Sequence, residues 1–298
     1  MSVQTTHPAV ATAAGLRQVD GADPFDGARI TAVHADAGDL WVLVAGRDLY
    51  RMDGDSPELV ARLHDDESGT CLGTHDGAVW IGGDPAALWR LHGTDLERVV
   101  SFDHAPTREA WHTPWGGPPA VFSMASGGTD LYVSVHVGGI LRTSDGTSWT
   151  STIDLHDDVH QVAVGPDGTV WAATGRKGLA ESNDRGATWR YHTHGLHANY
   201  LLAVAVVTNA VLVGASSGHA GRDGAVYRFD GSGFVRGHGL PDQLGGAVGP
   251  RRLAGASDRA IVALPDGDVF ASSDGGRNWT RLLRDLPAIS EVTIPPQR

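Results

Sequence analysis

A net charge of −12 over 298 residues, with an isoelectric point near 5.6, excludes nucleic-acid binding through a broad basic surface. A single cysteine, Cys71, excludes an internal disulfide framework and fits a reducing compartment. No apolar run approaches the roughly 20 residues of a membrane helix, so the expected location is the cytoplasm, with neither membrane nor nucleic acid as partner.

Met1 to Gly15 carries no Lys or Arg and no apolar run of signal-peptide length, and reads as a flexible leader. Leu16 to Val19 then reads as a lone strand, followed by a turn-rich connector, Asp20 to Gly27. From Arg29 a regular grammar begins. Arg29 to His34, Leu40 to Ala45, Leu49 to Met52 and Leu59 to His64 read as four short strands joined by tight turns, which is one antiparallel blade. Five more units follow. Their second strands are Val79 to Gly82, Leu131 to His136, Val170 to Thr174, Val211 to Ala215 and Ala260 to Leu264. Their third strands are Ala87 to Leu91, Ile140 to Thr143, Leu179 to Ser182, Ala225 to Phe229 and Val269 to Ser272. A period of about 40 to 50 residues is that of propeller blades. The expectation is an all-β, single six-bladed β-propeller over 29–298, with 1–28 as leader and closing strand. The alternative is seven blades, the last built from Leu16 to Val19 and a final strand at Ile289 to Ile294.

Three turns after third strands share a motif. Ser182 to Trp189 reads Ser-Asn-Asp-Arg-Gly-Ala-Thr-Trp, and Ser272 to Trp279 repeats Ser, Asp, Gly and Trp at the same spacing. Thr143 to Trp149 is one residue shorter. Ser and Asp side chains can hold such a turn through local hydrogen bonds, Gly supplies a positive φ, and Trp opens the next strand. The motif resembles the Asp-box, or bacterial neuraminidase repeat, of sialidase-type β-propellers and of photosystem assembly factors. The chain is also similar to bacterial Asp-box propellers carrying His-Val-Gly-Gly, Asp-Val-His-Gln and Gly-Leu-His-Ala, matched here by His136 to Gly139, Asp158 to Gln161 and Gly195 to Ala198. That resemblance implies the fold and no particular activity. Sialidase activity does not carry over, because Arg29-Ile30-Thr31 lacks the expected proline and no Glu is placed beside Tyr200. The metal site of six-bladed calcium-dependent lactonases has no matching residue set either.

Because strands alternate in direction, turns after first and third strands share one face. The turn after the second strand and the blade-to-blade connection share the other. The motif turns therefore lie opposite the two long insertions, Asp103 to Ala120 and Gly239 to Pro250, and loops of that length are where binding and catalysis concentrate. His34, His75 and His92 fall on the motif side and read as structural or solvated. His136, His160 and His197 come from three successive blades and are expected to converge at the insertion face, with His112 reaching them from the long loop. Two readings stay open for them: a metal site, or ordinary hydrogen-bonding or substrate-binding histidines. Imidazole ligands favour one transition metal, iron, copper or zinc, over calcium or magnesium, with Asp84 able to add an oxygen. On the same face Tyr200, Arg176 and Lys177 are candidate catalytic residues. Trp115, His219, Arg222 and Arg251 are candidate substrate-binding residues, the cations suiting an anionic group.

No Gly-rich phosphate loop, nucleophile elbow or paired-cysteine zinc motif is present, so no nucleotide cofactor is expected. The expected function is an enzyme acting on a small molecule at a His-lined channel mouth. All-imidazole propeller sites resemble redox centres, which favours oxygen-dependent oxidation by a metal-dependent oxidoreductase over hydrolysis or elimination. The alternative is a non-catalytic propeller that binds a protein or peptide, as the assembly factors do.

Overall fold

In a computed structural model, residues 7–19, 23–36, 38–113 and 116–295 are described. Six four-stranded antiparallel sheets and one three-stranded sheet are ordered along the chain. Blade one is Ile30–Asp36, Asp39–Val44, Asp48–Asp53 and Ser56–Arg62. Blade two is Gly69–His75, Ala78–Gly83, Leu88–His92 and Asp95–Arg98. Blade three is Val121–Gly127, Asp130–Val135, Gly139–Thr143 and Thr150–Ser151. Blade four is Val159–Val164, Val170–Thr174, Gly178–Ser182 and Arg190–His192. Blade five is Tyr200–Val207, Ala210–Ser216, Ala225–Phe229 and Phe234–Arg236. Blade six is Leu253–Ala256, Arg259–Ala263, Val269–Ser272 and Thr280–Leu283. The first strand of each blade packs beside the first strand of the next, so these strands line a central channel.

Seven blades close the ring, not six. The C-terminal strand Ile289–Thr293 is the innermost of the seventh, and Ala9–Thr12 and Gly15–Gln18 pair outward from it. Ala9–Thr12 lies within the stretch expected to be a leader. All four of its residues are buried, so it shows none of the polar–apolar alternation that marks a half-exposed strand. Closure onto blade one is by hydrogen bonds from Ser290 Oγ to the Ile30 carbonyl (2.6 Å) and from the Val33 amide to Glu291 Oε2 (3.1 Å). No helix among the described residues is long and apolar enough to cross a membrane.

The three motif turns have one hydrogen-bonding plan. Ser182 Oγ donates to Asp184 Oδ1 and accepts from the Gly186 amide, both at 2.8 Å, while Asp184 Oδ1 accepts from the Thr188 amide. Ser272 and Asp274 repeat this with Gly276, Arg277 and Asn278, and Thr143 and Asp145 with Gly146, Thr147 and Ser148. The Thr188 hydroxyl and the Asn278 side-chain amide, and after them these backbone amides, hold the Asp184 and Asp274 carboxyls down to about 2. Trp279 and Trp149 are buried, whereas Trp189 is half-buried. Trp149 and Trp189 donate their indole N–H to the connection leaving the preceding blade, at Ser101 Oγ (3.1 Å) and the Thr152 carbonyl (2.6 Å), so each staples two blades.

One irregularity shapes the other face. In blades one to five the pairing of first and second strands slips by a residue near the start of the first strand. Thr31, Thr70, Phe122, His160 and Leu202 are the extra residues. A bulge of this kind re-aims a side chain away from the regular pleat, here at the mouth of the channel.

Candidate functional site at the insertion face

His160 is a bulged residue and His136 directly follows the second strand of blade three, so both stand at the channel mouth on the insertion side. Their rings are 6.4 Å apart, with Phe122 stacked on His136 at 4.5 Å. His160 is 3 % exposed and His136 8 %. Two residues beside them have left-handed backbone, Val137 (φ 43°) and Asp158 (φ 54°). A β-branched residue there is strained, and such strain gathers at functional sites.

The protonation pattern follows from the partners. His160 Nδ1 lies 2.7 Å from the Leu201 carbonyl, which can only accept, so the neutral ring carries its proton on Nδ1. Nε2 is then a lone pair, and the Tyr200 hydroxyl, 3.3 Å away, donates to it. Burial lowers the pKa of both His160 and His136, outweighing the nearby Asp158 charge. Burial, then Asp158, raises that of Tyr200. At neutral pH the group is therefore two uncharged imidazoles and one protonated phenol. The carboxylate between them is Asp158, with Oδ2 3.6 Å from His160 Nε2 and Oδ1 3.8 Å from His136 Nε2. Its Oδ1 is buried without a hydrogen bond, and its neighbours are neutral, so it has no ion pair within the cluster.

Other expected site residues lie at different distances from this group. His112 is exposed, with Nδ1 3.0 Å from the Ala110 carbonyl, and His219 is exposed on the loop after the second strand of blade five. After burial, repulsion by His219 and His112 adds to the lowering of the His136 pKa, and repulsion by His219 to that of His160. His197 is turned away: Nδ1 lies 2.9 Å from the Tyr227 hydroxyl and Nε2 3.3 Å from Asp223 Oδ2. Lys177 pairs with the buried Asp157 at 2.5 Å, over the Tyr191 ring. Arg176, Arg222 and Asp84 are exposed. Trp115 lies outside the described residues. Among the described residues no group of three or more His, Cys, Asp or Glu is gathered closely enough to hold a metal ion, so the expected three-histidine set is not assembled.

Arg251 closes the floor of the mouth. It enters blade six with left-handed backbone (φ 61°), crosses the channel to donate to the Phe122 carbonyl of blade three, and lies 3.5 Å from Glu291 of blade seven. Gln161 Oε1 accepts from the Arg251 amide at 2.8 Å and from Val204 at 3.4 Å. This polar septum, with Gln161, Arg251 and Glu291 in its wall, separates the histidines from a channel cavity of about 970 Å³ that is lined largely by first-strand residues such as Met124, Val164, Val206 and Leu253 and opens between the turns of the other face.

Sequence reasoning did not single out Asp158 or Phe122 as site residues. Asp158 was visible within Asp-Val-His-Gln. Phe122 carried no signal, because a bulge cannot be read from residue types alone.

No family model matches the chain, and no curated protein does. Solved structures do match, and they are β-propellers. Virginiamycin B lyase from Staphylococcus aureus is 11% identical, with a TM-score of 0.59, over 92% of this chain and 86% of that one. YCF48 from Cyanidioschyzon merolae is 14% identical, with a TM-score of 0.55, over 85% and 84%. A GH74 enzyme from Niastella koreensis is 14% identical, with a TM-score of 0.59, over 86% of this chain and 47% of that one. At these identities the likeness shows the fold alone.

Proposed function

We propose that the insertion-face mouth is the active site of an enzyme that carries out acid–base chemistry on a small molecule, with elimination ahead of hydrolysis. The observation that carries this reading is the oriented chain Leu201 carbonyl, His160, Tyr200, set beside the Asp158 oxygen that lacks a hydrogen bond. A neutral imidazole takes a proton at Nε2 once the Tyr200 hydroxyl turns from that lone pair to the substrate, and a carboxylate 3.6 Å away stabilises the imidazolium that forms. The protonated Tyr200 supplies a hydrogen bond, or its proton, to an oxygen or nitrogen leaving with the electron pair. No serine, cysteine or lysine nucleophile stands among these groups. Elimination needs only the base and the acid.

The comparisons support the reading as far as fold goes. Propellers of this shape include a lyase and a glycoside hydrolase family member, and a histidine-to-alanine variant of virginiamycin B lyase, with quinupristin, is described as catalytically inactive. The preference for oxidation rested on a three-histidine metal centre and loses that support with His197 directed elsewhere. A second reading, a propeller that binds a protein or peptide, is favoured by the likeness to YCF48 and by the open channel cavity behind the septum.

Untargeted mass spectrometry of a metabolite extract incubated with the protein separates these. Elimination predicts a substrate that disappears as a product lighter by a small neutral molecule appears. A gain of oxygen or loss of two hydrogens would favour oxidation. No turnover, with a stable peptide or protein complex, would favour binding.

A further inference from the structure

His197 has two partners, Tyr227 and Asp223, and through them joins one directed chain that runs from Arg236 to Ser217. Arg236 Nε can only donate, and it lies 3.3 Å from the Tyr227 oxygen. That leaves the Tyr227 proton for His197 Nδ1 at 2.9 Å, and places the imidazole proton on Nε2, facing Asp223 Oδ2 at 3.3 Å. The His197 ring also stacks on Tyr227, with 5.8 Å between centroids and 22° between planes. The other oxygen of Asp223 accepts from the Ser217 amide and hydroxyl, both at 2.9 Å, which ties the two ends of the loop 217–224 together. The loop thus closes on itself through Asp223 and is moored to the blade through His197. Its free part carries His219 and Arg222, both exposed.

We infer that His197 is a positioning residue: it latches the loop 217–224 to blade five and so holds His219 beside the His136–Asp158–His160 cluster as a movable wall of the site. The inference rests on the reading of that mouth as the active site only where it concerns His219, since the latch stands on its own contacts, a hydrogen bond to Tyr227 and a 3.3 Å approach to Asp223. It also accounts for a histidine at 197, where one acceptor and one donor at opposite ends of a flat ring are required. The loop follows the second strand of blade five as His136 follows that of blade three, so both stand on the insertion face, and repulsion by His219 is among the causes that lower the pKa of His136 and His160.

Limited trypsin digestion, read by mass spectrometry as the rate of cleavage after Arg222, tests the latch. Loss of the Tyr227 hydrogen bond together with the Asp223 contact predicts about tenfold faster cleavage at that bond in His197→Ala, with no change at other sites. His197→Gln, whose amide oxygen accepts from Tyr227 and whose amide nitrogen donates to Asp223, should cleave like the native chain. If His197→Ala does not fold, Tyr227→Phe removes one bond of the chain and should accelerate cleavage about fivefold. Equal rates in native protein and in each folded variant would overturn the latch. The imidazole Cε1–H resonances of His136 and His160 read its purpose: at fixed pH they should move in His219→Ala and in the same direction in His197→Ala, and stay in place in His197→Gln. Faster cleavage with unmoved resonances would overturn the claim that the loop serves this mouth. None of these measurements uses turnover, so they stand or fall apart from the proposed reaction.

Discussion

The Leu201 carbonyl leaves His160 one neutral tautomer, and the chemistry then hangs on the Nε2 lone pair that faces Tyr200 and Asp158. Once a substrate is in hand, His160→Ala should lower kcat per folded molecule by about 10²- to 10⁴-fold, the range expected for a general base, at a cost of about 1 to 3 kcal/mol of stability from the orphaned Leu201 carbonyl. Tyr200→Phe should lower kcat less, and unchanged turnover in both variants would remove the pair from the mechanism. The pH profile has a definite sign. Because burial lowers the imidazole pKa values, the active neutral form persists below the ordinary His value of 6.5, and the acid limb should fall there. The basic limb should lie above pH 10, where Tyr200 begins to lose its proton.

Glu291 gives a second residue-scale test. Burial pushes its carboxyl up to about 7 despite Arg251 beside it. A folded-state value above the unfolded one means that its favourable contribution is complete below about pH 4.5 and is lost as pH rises through about 7. Glu291→Gln should therefore gain stability relative to the native chain across that window, measured by denaturant unfolding. A flat difference from pH 5 to 8 would contradict it.

At the scale of elements, the motif turns bind adjacent blades. Trp279 is 5 % exposed and packs in the core between blades five and six, so Trp279→Ala should cost about 3 to 5 kcal/mol in chemical denaturation. Activity per folded molecule should survive. Strand order, turn positions and the sharing of faces were legible in the sequence, because alternation and Asp-Gly turns are local properties. The same parity placed His136, His160 and Tyr200 together. It failed at His197, which sits in a connection with its direction set by Tyr227 and Asp223, partners 30 and 26 residues ahead in the chain. Asp158 was passed over for a related reason, since its left-handed backbone turns the carboxylate inward where a regular strand would not.

At the scale of the whole molecule, the ring is closed by strands from both chain ends, and Ala9–Thr12 was hidden because a strand buried on both faces lacks alternation. Deleting residues 1–18 removes two of the three strands of blade seven, with Val10 and Leu16 from the core. That should cost on the order of 5 kcal/mol or more and lower the melting temperature by about 10 °C or more. An unchanged melting temperature would mean that the ring does not depend on this closure. A closed ring matters to the site because His136, His160, Tyr200 and the Arg251 septum come from blades three to six and keep their spacing only if the blades do. The most direct measurement is a nitrogen-resolved NMR titration of the histidines in the intact protein. The account predicts that His160 carries its proton on Nδ1 at neutral pH and that both His160 and His136 titrate below pH 6.5. Protonation of His160 on Nε2, or midpoints above 6.5 for both rings, would contradict it.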